Sequence, residues 1–409
     1  MMVELGKNPL LPIFLIVAVD VLGLTLMIPL LPFYAEKLGA SPVQVGWLIG
    51  VYALFQLFSG PLLGRMSDHT GRKPLLIASQ IGTLIGFLIT AFAPSLWLVF
   101  LGRIIDGATA GNLTLAQAYI VDVTKPEDRA KSFGIIGIAF GLGFLVGPAV
   151  SGFLAQFDYR YPMFAAAFMS FTSILATTFL LPPNRAGHPR AGVAGPAGRR
   201  LSIVQWGEYV RYFKQPEVAP MLWQFLAFTF SFSMFIAGFP LFCERRLTWN
   251  GQPFGPEQTG YTWAYVGFLG IFLQGPGLGR LVKRFGERAL NRVGFSAYIV
   301  GYLLMAFTYS IPMLMLAGTV MVFGGLVRPT LTSLISHATP RDEQGVVMGL
   351  TQSINSISQI AAPPLAGLMI EHSLLSGWGL VAGLVAAAGL ALATHSARLP
   401  QRATVEIDT

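Results

Sequence analysis

Gly60-Pro61-Leu62-Leu63-Gly64-Arg65 occurs near the end of the second long apolar stretch, and Gly275-Pro276-Gly277-Leu278-Gly279-Arg280 repeats it 215 residues later. The same offset relates Gly71 to Gly286, Gly134 to Gly349, Pro148 to Pro363 and Gly152 to Gly367. A constant offset over positions this far apart marks a duplication, in which the two copies form one supersecondary unit repeated. The chain is therefore two related halves. Six apolar blocks separate the copies, so both halves share one orientation and relate by an axis along the membrane normal.

The composition requires a membrane. Of the 409 residues, 54% are hydrophobic and 11% charged, against about 25% charged in soluble domains. The apolar residues form twelve blocks at about 10–34, 43–65, 74–93, 95–121, 132–155 and 162–181, then 217–242, 259–281, 290–308, 311–334, 345–370 and 375–395. A bilayer core of about 30 Å needs about 20 such residues as helix. The expectation is an all-α membrane protein with twelve transmembrane helices in two six-helix bundles, residues 1–182 and 217–396. A linker at 183–216 joins them and a tail follows at 397–409. Leu10 to Leu31 is too long for a signal-peptide core and lacks a small-residue cleavage site, so it reads as the first span.

Lys and Arg placement sets the topology. With both termini cytoplasmic, most of the 27 basic residues fall on the inner side, and only Lys37, Arg160, Arg245 and Arg246 on the outer. Arg103 and Arg328 remain inside helices. The net charge of +8 follows from this topology, and no nucleic-acid partner is needed to account for it. The linker holds four arginines from Arg185 to Arg200, and Leu201 to Phe213 reads as an interfacial helix. One cysteine, Cys243, excludes an internal disulfide or a multi-cysteine metal site. The expectation is no cofactor and no metal. The sequon Asn112-Leu113-Thr114 falls within a helix at bilayer depth, which fits a bacterial inner membrane.

Three groups of residues carry candidate chemistry. The turn Gly64-Arg65-Met66-Ser67-Asp68-His69-Thr70-Gly71-Arg72-Lys73 combines two glycines for a tight turn with charges suited to a gate that forms and breaks. A basic turn serving topology alone is the competing reading. Asp20 lies mid-helix, where an ionised carboxylate is expensive. A group that changes charge as a cavity opens to either side couples proton flow to substrate movement; a helix-packing Asp with a permanent hydrogen bond is the alternative. Arg103 and Asp106 are one helical turn apart and able to pair, either as a relay with Asp20 or as a static clamp.

The turn at 64–73 resembles the signature loop of the major facilitator superfamily, with Met66 and His69 departing from it. Gly102-Arg103-Ile104-Ile105-Asp106-Gly107 is similar to that family's fourth-helix motif. The segment Gly143 to Gly152, with Gly143, Gly147, Pro148 and Gly152, resembles its fifth-helix antiporter motif, with Ser151 departing. Asp20 to Pro32 and Ala118 to Thr124 resemble the tetracycline-exporter-like, drug:proton antiporter group. The resemblance covers nearly the whole chain. It implies a cytoplasmic gate of Gly64, Asp68, Gly71, Arg72, Lys73, Asp122 and Arg129, with Asp68 meeting the start of the eleventh helix and Arg72 meeting Asp122 when the protein is open outward. It also places the glycine-rich fifth and eighth helices against each other between the halves. Lys283 stands where the second half would repeat Asp68. Some tetracycline exporters carry an acid in the third helix; Gln80 occupies that helix here, against a tetracycline-type cation site.

Polar stripes within membrane helices must face protein or water. Arg103, Thr114 and Gln117 form one, and Gln352, Asn355, Ser356 and Gln359 another. Gln224, Phe228 and Phe232 follow helical spacing in the seventh block. The candidate substrate contacts are Gln56, Gln117, Gln224, Phe228, Phe232, Asn355 and Gln359, with interhelical packing as the alternative for each. No Gly-x-x-x-x-Gly-Lys-Ser/Thr motif is present, which disfavours ATP-driven pumping. The sequence thus predicts a monomeric, proton-coupled exporter of a small lipophilic molecule. A same-fold importer or uniporter, and a membrane enzyme or scaffold, are the rivals.

Overall fold

Gly71 and Gly286, one repeat apart, hold φ angles of 93° and 77° with extended ψ, a region essentially closed to residues with a Cβ. Each ends one helix and starts the next, so the duplication read from sequence is also a duplication of backbone geometry. The computed structural model describes residues 10–124, 129–182, 210–273, 277–340 and 343–396. The linker helix expected at 201–213 lies almost wholly outside these residues, as do the tail from 397, Gly275 and Pro276.

The first half comprises α1 (Leu10–Met27), α2 (Leu31–Lys37), α3 (Pro42–Thr70), α4 (Arg72–Ala91), α5 (Leu96–Ala108), α6 (Asn112–Val123), α7 (Arg129–Ala155) and α8 (Tyr161–Leu180). The second comprises α9 (Ala219–Arg246), α10 (Pro256–Phe272), α11 (Leu278–Phe285), α12 (Glu287–Ala306), α13 (Ile311–Gly324), α14 (Val327–His337), α15 (Gln344–Glu371) and α16 (Leu375–Ser396). The offset of 215 carries α4 onto α12, and the starts of α5 and α6 onto those of α13 and α14. Both copies of that span are broken, and Ser95 and Ser310 precede them in the same extended conformation.

Among the described residues eight helices are long and apolar enough to cross a membrane, or nine if α1 and α2, bent by 43°, form one span. The helices outside that set include α6 and α15, which carry the polar stripes. One feature departs from the all-α expectation. Thr248–Trp249 (β1) and Gln252–Pro253 (β2) form a two-stranded hairpin. Asn250 and Gly251 at its tip have φ of 51° and 78°, the positive pair that an Asn-Gly hairpin turn adopts.

Helix packing repeats as well. α1 packs on α7 and α8 as α9 packs on α15 and α16, and α4 packs on α8 as α12 does on α16. Between the halves, α3 packs on α15 and α10 on α7, two contacts that the duplication interchanges. Prolines explain where these approach most closely. Pro148, Pro363 and Pro364 lack the N–H that would bond the carbonyls of Phe144, Gln359 and Ile360. Glycines of the other half lie over those carbonyls: a Cβ on Gly267 would stand 2.9 Å from the Phe144 oxygen, and one on Gly50 3.1 Å from that of Ile360. Without a side chain, each backbone can approach the exposed carbonyl.

These contacts gather at one end of the bundle, which we term the far end. There Gly46 faces Pro363 and Gly367 faces Pro42, while in the related pair Gly260 faces Pro148 and Gly152 faces Glu257. A buried apolar cluster of the first half takes in Leu241 and Ile370 of the second at the same end, and Arg245 pairs with Glu36 at 2.5 Å across the halves. Toward the opposite end, that of the 64–73 turn, a Cβ added to Gly141, Gly270, Gly279 or Gly349 would meet nothing within 4 Å. The halves are sealed at the far end and parted at the turn end.

Candidate functional site

A polar constellation lies in the helix interior of the first half. In the first half, Asp20 on α1 is half-buried although protein surrounds it, which places it on an internal cavity. Ser173 of α8 and Gln80 of α4 are the polar side chains beside its carboxyl, and Gln80 Nε2 donates to Ser173 Oγ at 2.7 Å. Gln80 thus occupies the third-helix position as a neutral partner of the α1 acid.

Arg103 and Asp106 are both 4% exposed and pair at 2.8 Å. The guanidinium lies 4.1 Å over the Tyr52 ring, and Gln56 Nε2 donates to Tyr52 Oη at 3.1 Å. Asp106 in turn lies within electrostatic reach of Asp20. Gln56, Tyr52, Arg103 and Asp106 therefore form a chain of polar contacts from α3 to α5. Asp106→Asn would leave the buried Arg103 unpaired, and removing one partner of such a pair costs about 3–5 kcal/mol. A clear fall in the thermal midpoint of purified protein, larger than for Gln56→Leu, is the expected outcome.

The turn at 64–73 is built around Arg72. Its Nε donates to Asp122 Oδ2 at 2.9 Å, and its Nη1 reaches Asp68 Oδ1 at 2.6 Å, the Gly64 carbonyl at 3.3 Å and the Ser67 hydroxyl. Lys73 Nζ donates to the carbonyls of Thr178 and Leu181, both at 2.7 Å, satisfying the open C-terminal end of α8. The Arg72–Asp122 pair is present here with the far end sealed. Both partners ride on one half. Asp68 is more than half exposed, and among the described residues its ion pair is with Arg72 rather than with α15. The side chain of Arg129 lies outside the described residues.

In the second half the repeat offset places Glu287 at the Arg72 position and His337 at the Asp122 position. These two meet at 3.5 Å, and Glu287 also accepts from the Ser333 hydroxyl. The two positions meet in both halves, with the acidic and the basic side chain exchanged. Reading Lys283 against Asp68 missed it, although the same offset applied one turn further would have found it.

The antiporter-like segment divides its work. Gly143 and Gly147 leave room for Val21 and Thr25 of α1, and Thr25 donates to the Gly143 carbonyl at 2.9 Å. Pro148 and Gly152 face α10 of the other half.

Of the candidate substrate contacts, Gln117 is exposed, and Asn355 and Gln359 are partly so. Gln224 is not on this surface. It is 2% exposed near the turn end of α9, where Asn291 donates to its amide oxygen at 2.8 Å. Its place on the helical stripe reflects a tie between α9 and α12. Phe228 is also buried, stacked on Phe232 at 5.8 Å and against Tyr298 at 5.9 Å; Phe232 remains partly exposed. Tyr298 continues to Tyr302 at 5.6 Å, and Phe235 joins Tyr302, Trp263 and Trp378. The aromatic wall thus draws on four helices. A single-helix spacing rule shows only its α9 members.

At the far end, Phe33, Glu36, Lys37, Tyr159 and Glu244 line an open pocket of about 470 Å³ where α2 meets the end of α9. Burial and the nearby Glu244 raise the Tyr159 phenol above its usual range. Among the described residues no cluster of His, Cys, Asp or Glu is arranged to hold a metal ion.

Two pseudosymmetric helical halves, sealed at one end around a polar and aromatic interior, define a membrane transporter. The chain belongs to the Major Facilitator Superfamily, whose model matches residues 13–363 and 272–406, and is a multi-pass secondary transporter of small molecules. It is 30% identical over 390 residues to the class C tetracycline resistance protein of Escherichia coli, covering 94% of both chains. Among solved structures it is similar to the human organic anion transporter MFSD10 (TM-score 0.71, 21% identity, 95% of this chain and 99% of that one). It is also similar to the nucleoside transporter NupG (TM-score 0.76, 14% identity, 96% and 100%).

Proposed function

We propose that the protein exports a small lipophilic compound in exchange for protons, as a member of the drug:proton antiporter group with twelve spans in two six-helix bundles. The observation that carries this is Asp20: a partly exposed carboxyl in the membrane interior, beside the neutral side chains of Ser173 and Gln80. A carboxyl in that position is a proton site by its chemistry, and the nearby cation Arg103 is already paired with Asp106. The similarity to tetracycline resistance proteins over the whole chain supports export.

With the basic loops placed in the cytoplasm of a bacterial cell, the sealed far end is outward and the structure is an inward-open state. Transport then follows by rocking the halves to seal the 64–73 side, with Asp68, Arg72 and Asp122 holding the gate. Phe232, Gln117, Asn355 and Gln359 line the route, and one chain suffices.

The test is proton release from purified protein in weak buffer on addition of lipophilic compounds. Release in proportion to bound ligand supports antiport. A compound that binds and is transported without any proton movement sinks it and leaves a uniporter.

A further inference from the structure

Arg328 is the one charged residue that the second half places deep within a membrane helix; its other charges lie at helix ends or in loops. It sits in the first turn of α14, just past the break in that span. Protein surrounds it, yet its side chain is exposed, so it too faces the internal cavity. Tyr298, the residue at the centre of the aromatic stack with Phe228, Phe232 and Tyr302, lies within its electrostatic reach. Among the described residues no carboxylate pairs with Arg328, and no hydrogen bond engages its guanidinium.

The contrast with Arg103 decides the reading. Arg103 is buried with Asp106 as counter-ion and a ring over its face, a self-contained pair. In the open cavity Arg328 is solvated by water. Once the turn end closes and water leaves, an unpaired guanidinium would be enclosed, at a cost of several kcal/mol. An arriving anion removes that cost, because a guanidinium and a carboxylate or sulfonate form paired, charge-assisted hydrogen bonds. Asp20 does not fill the role, since its partners are Ser173 and Gln80.

We propose that Arg328 and the adjoining aromatic wall form a subsite for the anionic group of an amphipathic aromatic substrate. The acid group meets Arg328 and the ring lies against Phe232. The transported class is therefore lipophilic organic anions. This rests on the reading that the space between the halves is the substrate cavity.

The experiment compares two probes of one skeleton, anilinonaphthalene sulfonate and its uncharged parent phenylnaphthylamine. Binding to nanodisc-embedded protein is measured by equilibrium dialysis with empty discs subtracted. Wild type should hold the sulfonate about tenfold or more tighter than the neutral probe, the scale of a charge-assisted contact. Arg328→Gln should lose that preference with neutral binding unchanged, which also serves as the folding control. Arg328→Lys should keep part of it. Equal binding of both probes by wild type, absence of sulfonate binding, or a parallel loss of both probes in Arg328→Gln overturns the proposal. Asp20→Asn separates this from the coupling mechanism. At fixed pH it should retain sulfonate preference, so failure of proton exchange alone leaves the anion subsite standing.

Discussion

Asp20→Asn should reduce uphill export, in proteoliposomes with an imposed pH gradient, to the level of empty vesicles. Exchange of labelled for unlabelled substrate at equal pH should persist. The two outcomes separate because Asn keeps the shape and hydrogen bonds of a protonated carboxyl but cannot release a proton. Ser173 and Gln80 are neutral and accommodate the amide, so the variant should fold and bind. If both uphill export and exchange survive, the proton site lies elsewhere, and the Arg103–Asp106 pair becomes the next candidate. If both fail, Asp20 is part of the helix packing and the coupling role is lost. The carboxyl's position carries this expectation: it faces the cavity and has no salt-bridge partner of its own among the described residues.

The fold was readable because its evidence lies along the chain. Apolar blocks give the helices, and the offset of 215 gives the two halves and pairs the broken span at 96–123 with that at 311–337. The candidate site was readable where chemistry is rare. A mid-helix Asp20, and an Arg103 with Asp106 one turn on, are costly in a membrane and announce themselves. What escaped depends on which face of a helix meets which neighbour. Gln224 shares a stripe with Phe232, yet its amide is taken up by Asn291. Tyr298, Tyr302 and Trp263 come from α12 and α10, and no single-helix period links them to α9. The exchanged pair Glu287–His337 was hidden because identity across the repeat was sought, whereas the duplication preserved the contact and swapped which side carries the acid. The carbonyls freed by Pro148, Pro363 and Pro364 could be named from sequence, but the glycines that use them are on the other half.

Those glycines lead to the second large effect. Gly46→Leu and Gly367→Leu should each abolish transport while leaving the protein folded, by preventing the far end from sealing. A side chain at either position meets backbone of the opposite half, the carbonyl of Pro363 for Gly46 and that of Pro42 for Gly367. Backbone cannot swing aside as a flexible side chain does. Overpacking of this kind costs about 1–3 kcal/mol, comparable to the gap of a few kcal/mol separating alternate states, so the population moves to the form parted at the far end. Arg245→Ala provides the comparison. The Arg245–Glu36 pair is partly exposed, and exposed pairs contribute about 0–1 kcal/mol, so its loss should slow transport only modestly. The readout is thiol labelling of a Glu36→Cys substitution in a Cys243→Ser background. The wedge variants should label at this introduced thiol substantially faster than the same background without a wedge, and addition of substrate should no longer slow them. Unchanged labelling with lost transport would show that these glycines serve folding of the α3–α15 contact rather than closure. The other inter-half contact should behave alike: Gly260→Leu, set against the Pro148 carbonyl, is expected to give the same phenotype from the α7–α10 side. A seal made of two equivalent backbone contacts fails when either is held open.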